Sequence, residues 1–322
     1  MAALTLNMVD QMTALEVVKR ANNPDAFLII EALLQTNELL TDMPVLQAND
    51  GAIHTTLRRM TQPGGQHRIY NQGVEVKASQ TKTIHDRITM LEAYAVVDKK
   101  LAEHGGDVAA LRHSEAVAFL NGMGIDQARD LIYGDWTKNP AEIDGLATRL
   151  SALGKNVISM GGTGANLTSL YILAAGPQFC HLIYPRGSSS IGVSRQDLGE
   201  QTWKDDEGNP FQAYVDHFEA NYGLVIRHPD AVKRLCNIPA DVDPTTLVDT
   251  ILAQLRRLPK GATNRVIYAN ASILNILDKA ARDRPNVIYP TTDPWGKPLT
   301  MVRDARLRQV DAILEFAEIA VA

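Results

Sequence analysis

Cysteine is nearly missing from this sequence: Cys180 and Cys236 are the two in 322 residues. Both sit beside apolar neighbours, and two thiols cannot build a disulfide framework for a chain of this length. The expectation is buried free thiols in a reducing compartment. Aromatic residues make up only 6%, and they do not interleave with basic stretches as a nucleic-acid stacking platform requires. Long hydrophobic runs are absent, and stretches such as AFLII are far too short to cross a bilayer. Met1 to Met8 carries no basic residue, and no apolar core with a small-residue cleavage site follows. No secretory leader is read, and the chain is expected to stay in the cytoplasm where it is made. The net charge of -5 gives no basis for wrapping nucleic acid by bulk electrostatics.

What is present is ordinary for a folded protein, with 45% hydrophobic and 21% charged residues, enough for one large domain or two modest ones. Chemistry is hard to find. Gly161 to Asn166 suggests a phosphate-cradling loop, but it lacks the Lys-Ser/Thr ending, and a strand rather than a helix is expected to follow. A connector is the better reading. The eight histidines have no metal-ligand spacing among themselves or with the cysteines. Asp205, Asp206, Glu207 and Asn209 lack the alternating ligands and distal Glu of a calcium loop, so they read as a hairpin turn. Ser188 to Ser190 lacks a nucleophile-elbow frame. No catalytic, metal or cofactor residues are assigned.

Charge is unevenly spread. Residues 1 to 50 carry seven acids against Lys19 and Arg20. A weak helix over Val9 to Arg20 precedes a stronger one that starts at Asn23-Pro24-Asp25, carries Phe27, Ile30, Leu33, Leu34 and Leu40, and stops at Asp42-Met43-Pro44. Residues 54 to 87 invert the balance, with six basic residues against Glu75 and Asp86. Here helical period vanishes. Two extended runs, His54 to Met60 and Ile69 to Lys77, flank a Pro63-Gly64-Gly65 turn. Such a polar hairpin buries too little apolar surface to offset its chain entropy, so it must lie on something outside itself.

Further along, Ile84, Ile88, Met90, Tyr94 and Val96 alternate on one face of a strand. Asp107 to Tyr133 reads as one long helix ended by Gly134, with Ala116, Phe119, Leu120, Met123, Ala128 and Leu131 as its buried stripe. Gly122 and Gly124 fall in its middle, where glycine permits bending. Strands are expected at Ser169 to Leu173, Cys180 to Tyr184, Gly199 to Trp203, Phe211 to Arg227, Val266 to Ala269, Val287 to Tyr289, Leu299 to Arg303 and Leu307 to Leu314. Asp243 and Asn270 read as helix caps, the first helix burying Leu247, Ile251, Leu255 and Leu258. Strands and helices neither alternate strictly nor segregate, which makes the class α+β.

A resemblance adds to this. FLIIEALLQTNELLTDMP at Phe27 to Pro44, NQGVEVKAS at Asn71 to Ser79 and MLEAYAVVDKKLAE at Met90 to Glu103 come in order. They are followed by HSEAVAFLNGM from His113, DLIYGD from Asp130, IDGLATRLS from Ile143, TSLYILAAGPQFCHLIYPRGS from Thr168, DLGEQTW from Asp197 and FQAYVDHFEANYGLVIRHPDAVKRLCNI from Phe211. Together they resemble the major capsid proteins of short-tailed phages of the epsilon-fifteen and Bordetella-phage kind, which have the Hong Kong 97 fold.

The resemblance implies an N-arm at 1–48, an extended E-loop at 49–88, and a peripheral domain at 89–150 with a spine helix at 107–133. The remainder, 151–322, is implied as an axial domain with strands returning to the peripheral one. It implies hexamers and pentamers forming an icosahedral shell around double-stranded DNA, bound without sequence preference. It further implies a separate scaffolding protein, a portal and a decoration or cement protein as partners, no membrane, and a virion protein assembled in the host bacterial cytoplasm. Arg58, Arg59, Arg68, Lys77 and Lys82 are the candidate inter-subunit contacts, with a neighbour's acidic arm or helix as acceptor. Gly122 and Gly124 are the candidate hinge as a precursor shell expands. Lys77 and Lys82 are also placed for a covalent cross-link, though no partner Asn or assisting Glu is located. An encapsulin-like compartment shell is the rival within the fold; a nucleotide-binding enzyme using Gly161 to Asn166 is the rival outside it.

Overall fold

The computed structural model describes residues 37–104, 106–187, 193–262, 264–283, 288–292 and 298–321. The expected helices before residue 37, most of the acidic arm, and Ser188 to Ser190 lie outside the described residues.

The described chain opens with a one-turn helix, α1 (Glu38–Asp42), capped by the Asn37 side chain. Strands β1 (Val45–Gln47), β2 (Ile53–Arg59) and β3 (Thr81–Asp98) follow, then helices α2 (Lys99–His104), α3 (Val108–Tyr133) and α4 (Leu146–Arg149). Next come β4 (Val157–Ser159), β5 (Thr168–Ala175), β6 (Cys180–Tyr184), β7 (Val193–Lys204), β8 (Pro210–Ile226) and β9 (Val232–Ile238). The chain closes with α5 (Pro244–Leu255), β10 (Asn264–Ala269), α6 (Ala271–Asp283), β11 (Ile288–Thr292), β12 (Pro298–Val302) and β13 (Ala305–Gln309).

The strands join in one mixed sheet whose main path runs β11-β12-β13-β10-β5-β6-β8-β3-β2. Its centre is β5, where every residue is buried, as expected of a continuous apolar strand covered on both faces. Leu247, Ile251, Leu255 and Leu258 from the α5 region join this core as expected, and Asp243 and Asn270 accept the capping N–H bonds of Thr246 and Ile273. At the other end β3, β8 and β7 form a long three-stranded ribbon. β3 pairs with β8 from Ile88↔Gly223 to Asp98↔Ala213, and β7 turns into β8 through Asp205 to Asn209.

Helix α3 lies on this ribbon. It starts where Asp107 accepts a bond from the Ala110 N–H, just after Gly106 takes a left-handed φ of 81°. It stops at Gly134, where a Cβ would sit 2.5 Å from the Ile143 carbonyl oxygen. Its buried stripe contains Ala116, Leu120, Met123, Ala128 and Leu131, joined by Gln127 and Ile132. Phe119 is not part of it and stands 37% exposed.

Three expectations are corrected. The partner of β2 is not Ile69 to Lys77 but the outer half of β3, in register from Ile53↔Arg87 to Arg59↔Thr81. Alternating Val74 and Val76 mimic a strand, but the long β3 already supplies the partner edge, and 69–77 is irregular. The covered face of β3 is not the one with that apolar alternation but the opposite one. Thr89, Ala95 and Val97 are buried and Leu91 and Ala93 half-buried, whereas Met90 is 71% and Tyr94 45% exposed. Small residues at the odd positions, with Phe218 and Ala220 across from them, let α3 approach; period two alone does not say which face a helix takes. Finally, β13 ends at Gln309, short of Leu314.

Candidate inter-subunit surface

The β2–β3 hairpin is held firmly at its root. Asp86 is buried there, and the Arg149 guanidinium donates to it at 2.6 Å. The same guanidinium donates to the carbonyls of Asp144 (2.8 Å) and Leu224 (3.0 Å). Arg87 stacks over Trp136, its guanidinium carbon 3.6 Å from the ring centre. The Thr89 hydroxyl donates to the Ala141 carbonyl. His54 accepts from the Asn49 N–H at 3.2 Å and meets His181 edge-on, ring centres 6.2 Å apart. Burial holds both imidazoles below their ordinary range, His181 down to about 4, with His54 and Arg227 adding to the effect.

Beyond the root the hairpin leaves the body. The Met60 N–H donates to the Gln80 carbonyl and the Gln80 N–H to the Thr61 hydroxyl. Residues 62–79 then form an exposed loop without strand or helix. Among the described residues its bonds stay within itself: Gln72 N–H to the Ile69 carbonyl, and Lys77 to Glu75 at 3.3 Å.

The five candidate contact residues divide. Arg58 does not project; it donates from Nε to the Arg227 carbonyl (3.3 Å) and from Nη2 to the Ile226 carbonyl of its own chain. It is a strut for the hairpin rather than a free contact. Lys77 is engaged by Glu75 in an exposed pair of small energetic weight. Arg59, Arg68 and Lys82 are exposed and meet no carboxylate among the described residues. Apolar side chains were overlooked by the sequence reading: Leu57 (67% exposed), Ile69 (74%), Tyr70 (95%) and Val76 (97%) all face solvent. The signal was Ile69-Tyr70 and Val74-x-Val76 inside an otherwise polar stretch. In α3, Gly122 has open space where a Cβ would stand and Gly124 is buried; the helix runs unbroken through both.

The remaining sequence candidates resolve into structure. Gly161 and Gly164 take left-handed φ of 88° and 95°, and β5 follows, as expected. The loop is occupied by its own carboxyl-terminal segment: the Ala320 N–H donates to the Gly164 carbonyl at 3.0 Å, and Leu167 and Glu318 exchange both backbone bonds. Glu318 is buried there, held by Arg234 at 3.0 Å and by the hydroxyls of Tyr133 and Ser169. Both cysteines are buried and free, and burial pushes the Cys180 thiol up to about 12, which suits packing rather than reactivity. Among the described residues no three His, Cys, Asp or Glu gather to hold a metal, and no helix is long and apolar enough to cross a membrane. A cleft of about 440 Å³ between α3 and β3 is lined by Asp126, Arg129, Asp130 and Glu142, with Asp130 accepting from the Tyr222 hydroxyl at 2.8 Å.

A mixed sheet, a long helix lying on a three-stranded ribbon and a hairpin carried clear of the body define the Hong Kong 97-type capsid fold. The particular kinship follows from the sequence: residues 22–322 match the family described as major capsid protein GP7, and the chain belongs to that family. The structure of bacteriophage Epsilon15 from cryo-electron microscopy is similar, with 28% identity, coverage of 88% of this chain and 89% of that one, and a TM-score of 0.64. The bacteriophage JBD30 capsid aligns at 11% identity over 88% and 89% of the two chains, TM-score 0.48. The SrpI encapsulin of Synechococcus elongatus PCC 7942 aligns at 9% over 63% and 87%, TM-score 0.41. No curated protein matches the chain. This is therefore a structural capsid protein of the virion, one of many copies that make up a shell.

Proposed function

We propose that the subunit forms hexamers and pentamers of an icosahedral phage head enclosing double-stranded DNA, clamped together by the hairpin and the amino-terminal arm. Its work is mechanical, with no catalytic step. In this reading residues 1–48 are the N-arm, 49–88 the E-loop, 89–150 the peripheral domain with α3 as spine, and 151–322 the axial domain. The pairing of β8 with β3 supports a return of later strands to the peripheral part. Assembly takes place in the host bacterial cytoplasm, with a separate scaffold, a portal and a cement protein as partners.

One observation carries this reading: residues 62–79 form an exposed loop whose described bonds stay within the loop, yet they present Ile69, Tyr70 and Val76 to solvent. An isolated protein gains nothing from ordering such a loop, whereas a neighbouring copy that covers it buries apolar area worth roughly 25 cal/mol per Å². The test is electron microscopy of the purified protein beside a variant in which a short Gly-Ser link replaces 62–79. The full chain is expected to give icosahedral particles and the shortened one a folded, soluble subunit. Particles from the shortened chain, or none from the full one, would contradict the proposal.

A further inference from the structure

One end of the central sheet gathers bases. The β5–β10 and β5–β9 pairings stop there, at Ala175↔Asn264 and Leu173↔Val232. The turn after α5, the start of β9 and the segment before β4 therefore come together. Lys155 donates to Asp230 at 2.8 Å. Lys233, whose side chain is wholly buried, donates to Asp230 at 3.1 Å and to Asn156 at 2.5 Å. Burial holds the Lys233 ammonium below its ordinary range, and the charges of Lys155 and Arg257 add to this against the pull of Asp230. Arg257 thus stands close to the pair. It belongs to the turn 256–262, which buried Leu258 and Ala262 anchor while Arg256, Arg257 and Lys260 are exposed. None of those three meets a carboxylate among the described residues. Lys155, Lys233, Arg256, Arg257 and Lys260 share the one acid Asp230, in a chain whose overall charge is -5.

Bases at the carboxyl end of α5 suit the helix dipole, but a dipole does not account for Lys155, Lys233 and Lys260. Like charges gathered in this way repel one another unless an anion from outside offsets the repulsion. The far end of the same sheet is acidic, with Asp241, Asp243, Asp311 and Glu315 and no base in 235–247 or 309–321. Three of those carboxylates are already engaged in their own chain: Asp243 caps α5, Asp311 accepts from Gln309 and Glu315 from Ser272. A DNA duplex instead presents one free charge per about 1.7 Å of its axis. Long, exposed cations without a fixed partner suit phosphates of that density. Among the described residues no exposed aromatic ring stands beside them to stack unpaired bases; Phe179, next to the turn, packs against Gly261 and His228.

We infer that this end of the sheet, formed by Lys155, Lys233, Arg256, Arg257 and Lys260, binds the phosphate backbone of duplex DNA without reading its sequence. The inference rests on the reading of the chain as a shell around DNA, and it gives that DNA a surface to lie on. The rest of an acidic subunit repels the duplex, so contact is confined to this end.

The experiment titrates a labelled DNA duplex with the purified full-length chain and follows fluorescence anisotropy from about 50 to about 200 mM salt. Wild type is expected to bind two duplexes of unrelated sequence alike. Its affinity should fall on the order of a hundredfold over that range, a log–log slope of about -4 for five cations. R256Q/R257Q/K260Q is expected to melt with wild type, bind at least about tenfold more weakly at low salt and lose about three from the slope. Should it melt early, K155Q/K260Q repeats the comparison with one exposed side chain changed in each of two segments, and about two lost from the slope. No binding by wild type, binding indifferent to salt, or unchanged binding by a folded variant would overturn the inference. Electron microscopy separates the other occupant: the folded triple variant is expected to form shells, and its failure to do so would assign the surface to a second copy instead. Wild type that binds duplex in this way but forms no shells would sink the shell reading and leave the surface standing.

Discussion

At the scale of single residues, the root of the hairpin is where energy concentrates. Arg149 holds Asp86 and two backbone carbonyls in a nearly dry setting. Removing one partner of a buried pair leaves the other charge stranded, at a cost of about 3–5 kcal/mol. Arg149→Met is therefore expected to lower subunit stability by that amount in urea unfolding, with Arg59→Met, at an exposed and unpaired site, within about 0.5 kcal/mol of wild type. The histidines give a pH signature. His181 has its folded value lowered to about 4 from an ordinary 6.5, so between those values the unfolded chain takes up a proton that the folded chain refuses. Stability contributed by this site is complete above about pH 6.5 and lost as pH falls towards 4, amounting to about 3 kcal/mol. Urea midpoints at pH 7 and 4.5 should differ less in His181→Gln than in wild type; equal differences would remove His181 from the account.

At the scale of elements, legibility in the sequence followed local chemistry. The ends of α3 could be read because Asp107 and Gly134 act within one turn of their own positions, and the caps Asp243 and Asn270 for the same reason. The covered face of β3 could not, since it depends on which side α3 packs, a decision made by Ala93, Ala95, Phe218 and Ala220 together. Likewise Arg58 looked free until β8 brought its terminal carbonyls alongside. The exposed apolar residues of the loop were visible in sequence but lay inside a stretch read as a polar hairpin. For α3 itself, Gly122→Ala fills open space in a helix and should stabilise the subunit by about 1 kcal/mol. If the pair serves as a hinge, adding Gly124→Ala should slow expansion of a precursor shell without blocking its first assembly. Time-resolved scattering of expanding particles would show this, and an unchanged rate would reduce the glycines to local packing.

At the scale of the whole molecule, one sheet carries two tasks. Its β5–β10 centre and flanking helices bury a self-sufficient core, while the β3–β8–β7 ribbon extends that sheet into a hairpin and an acidic face that the described residues leave open. A subunit built this way is stable alone at its centre and incomplete at its margin, as assembly of many copies requires. Hydrogen exchange of the amides of residues 60–80, in free subunits and in assembled shells, tests that most directly. Rapid exchange in the subunit and strong protection in the shell is the expected outcome. Equal protection in both states would mean that the hairpin is satisfied by its own chain, and the account would fail.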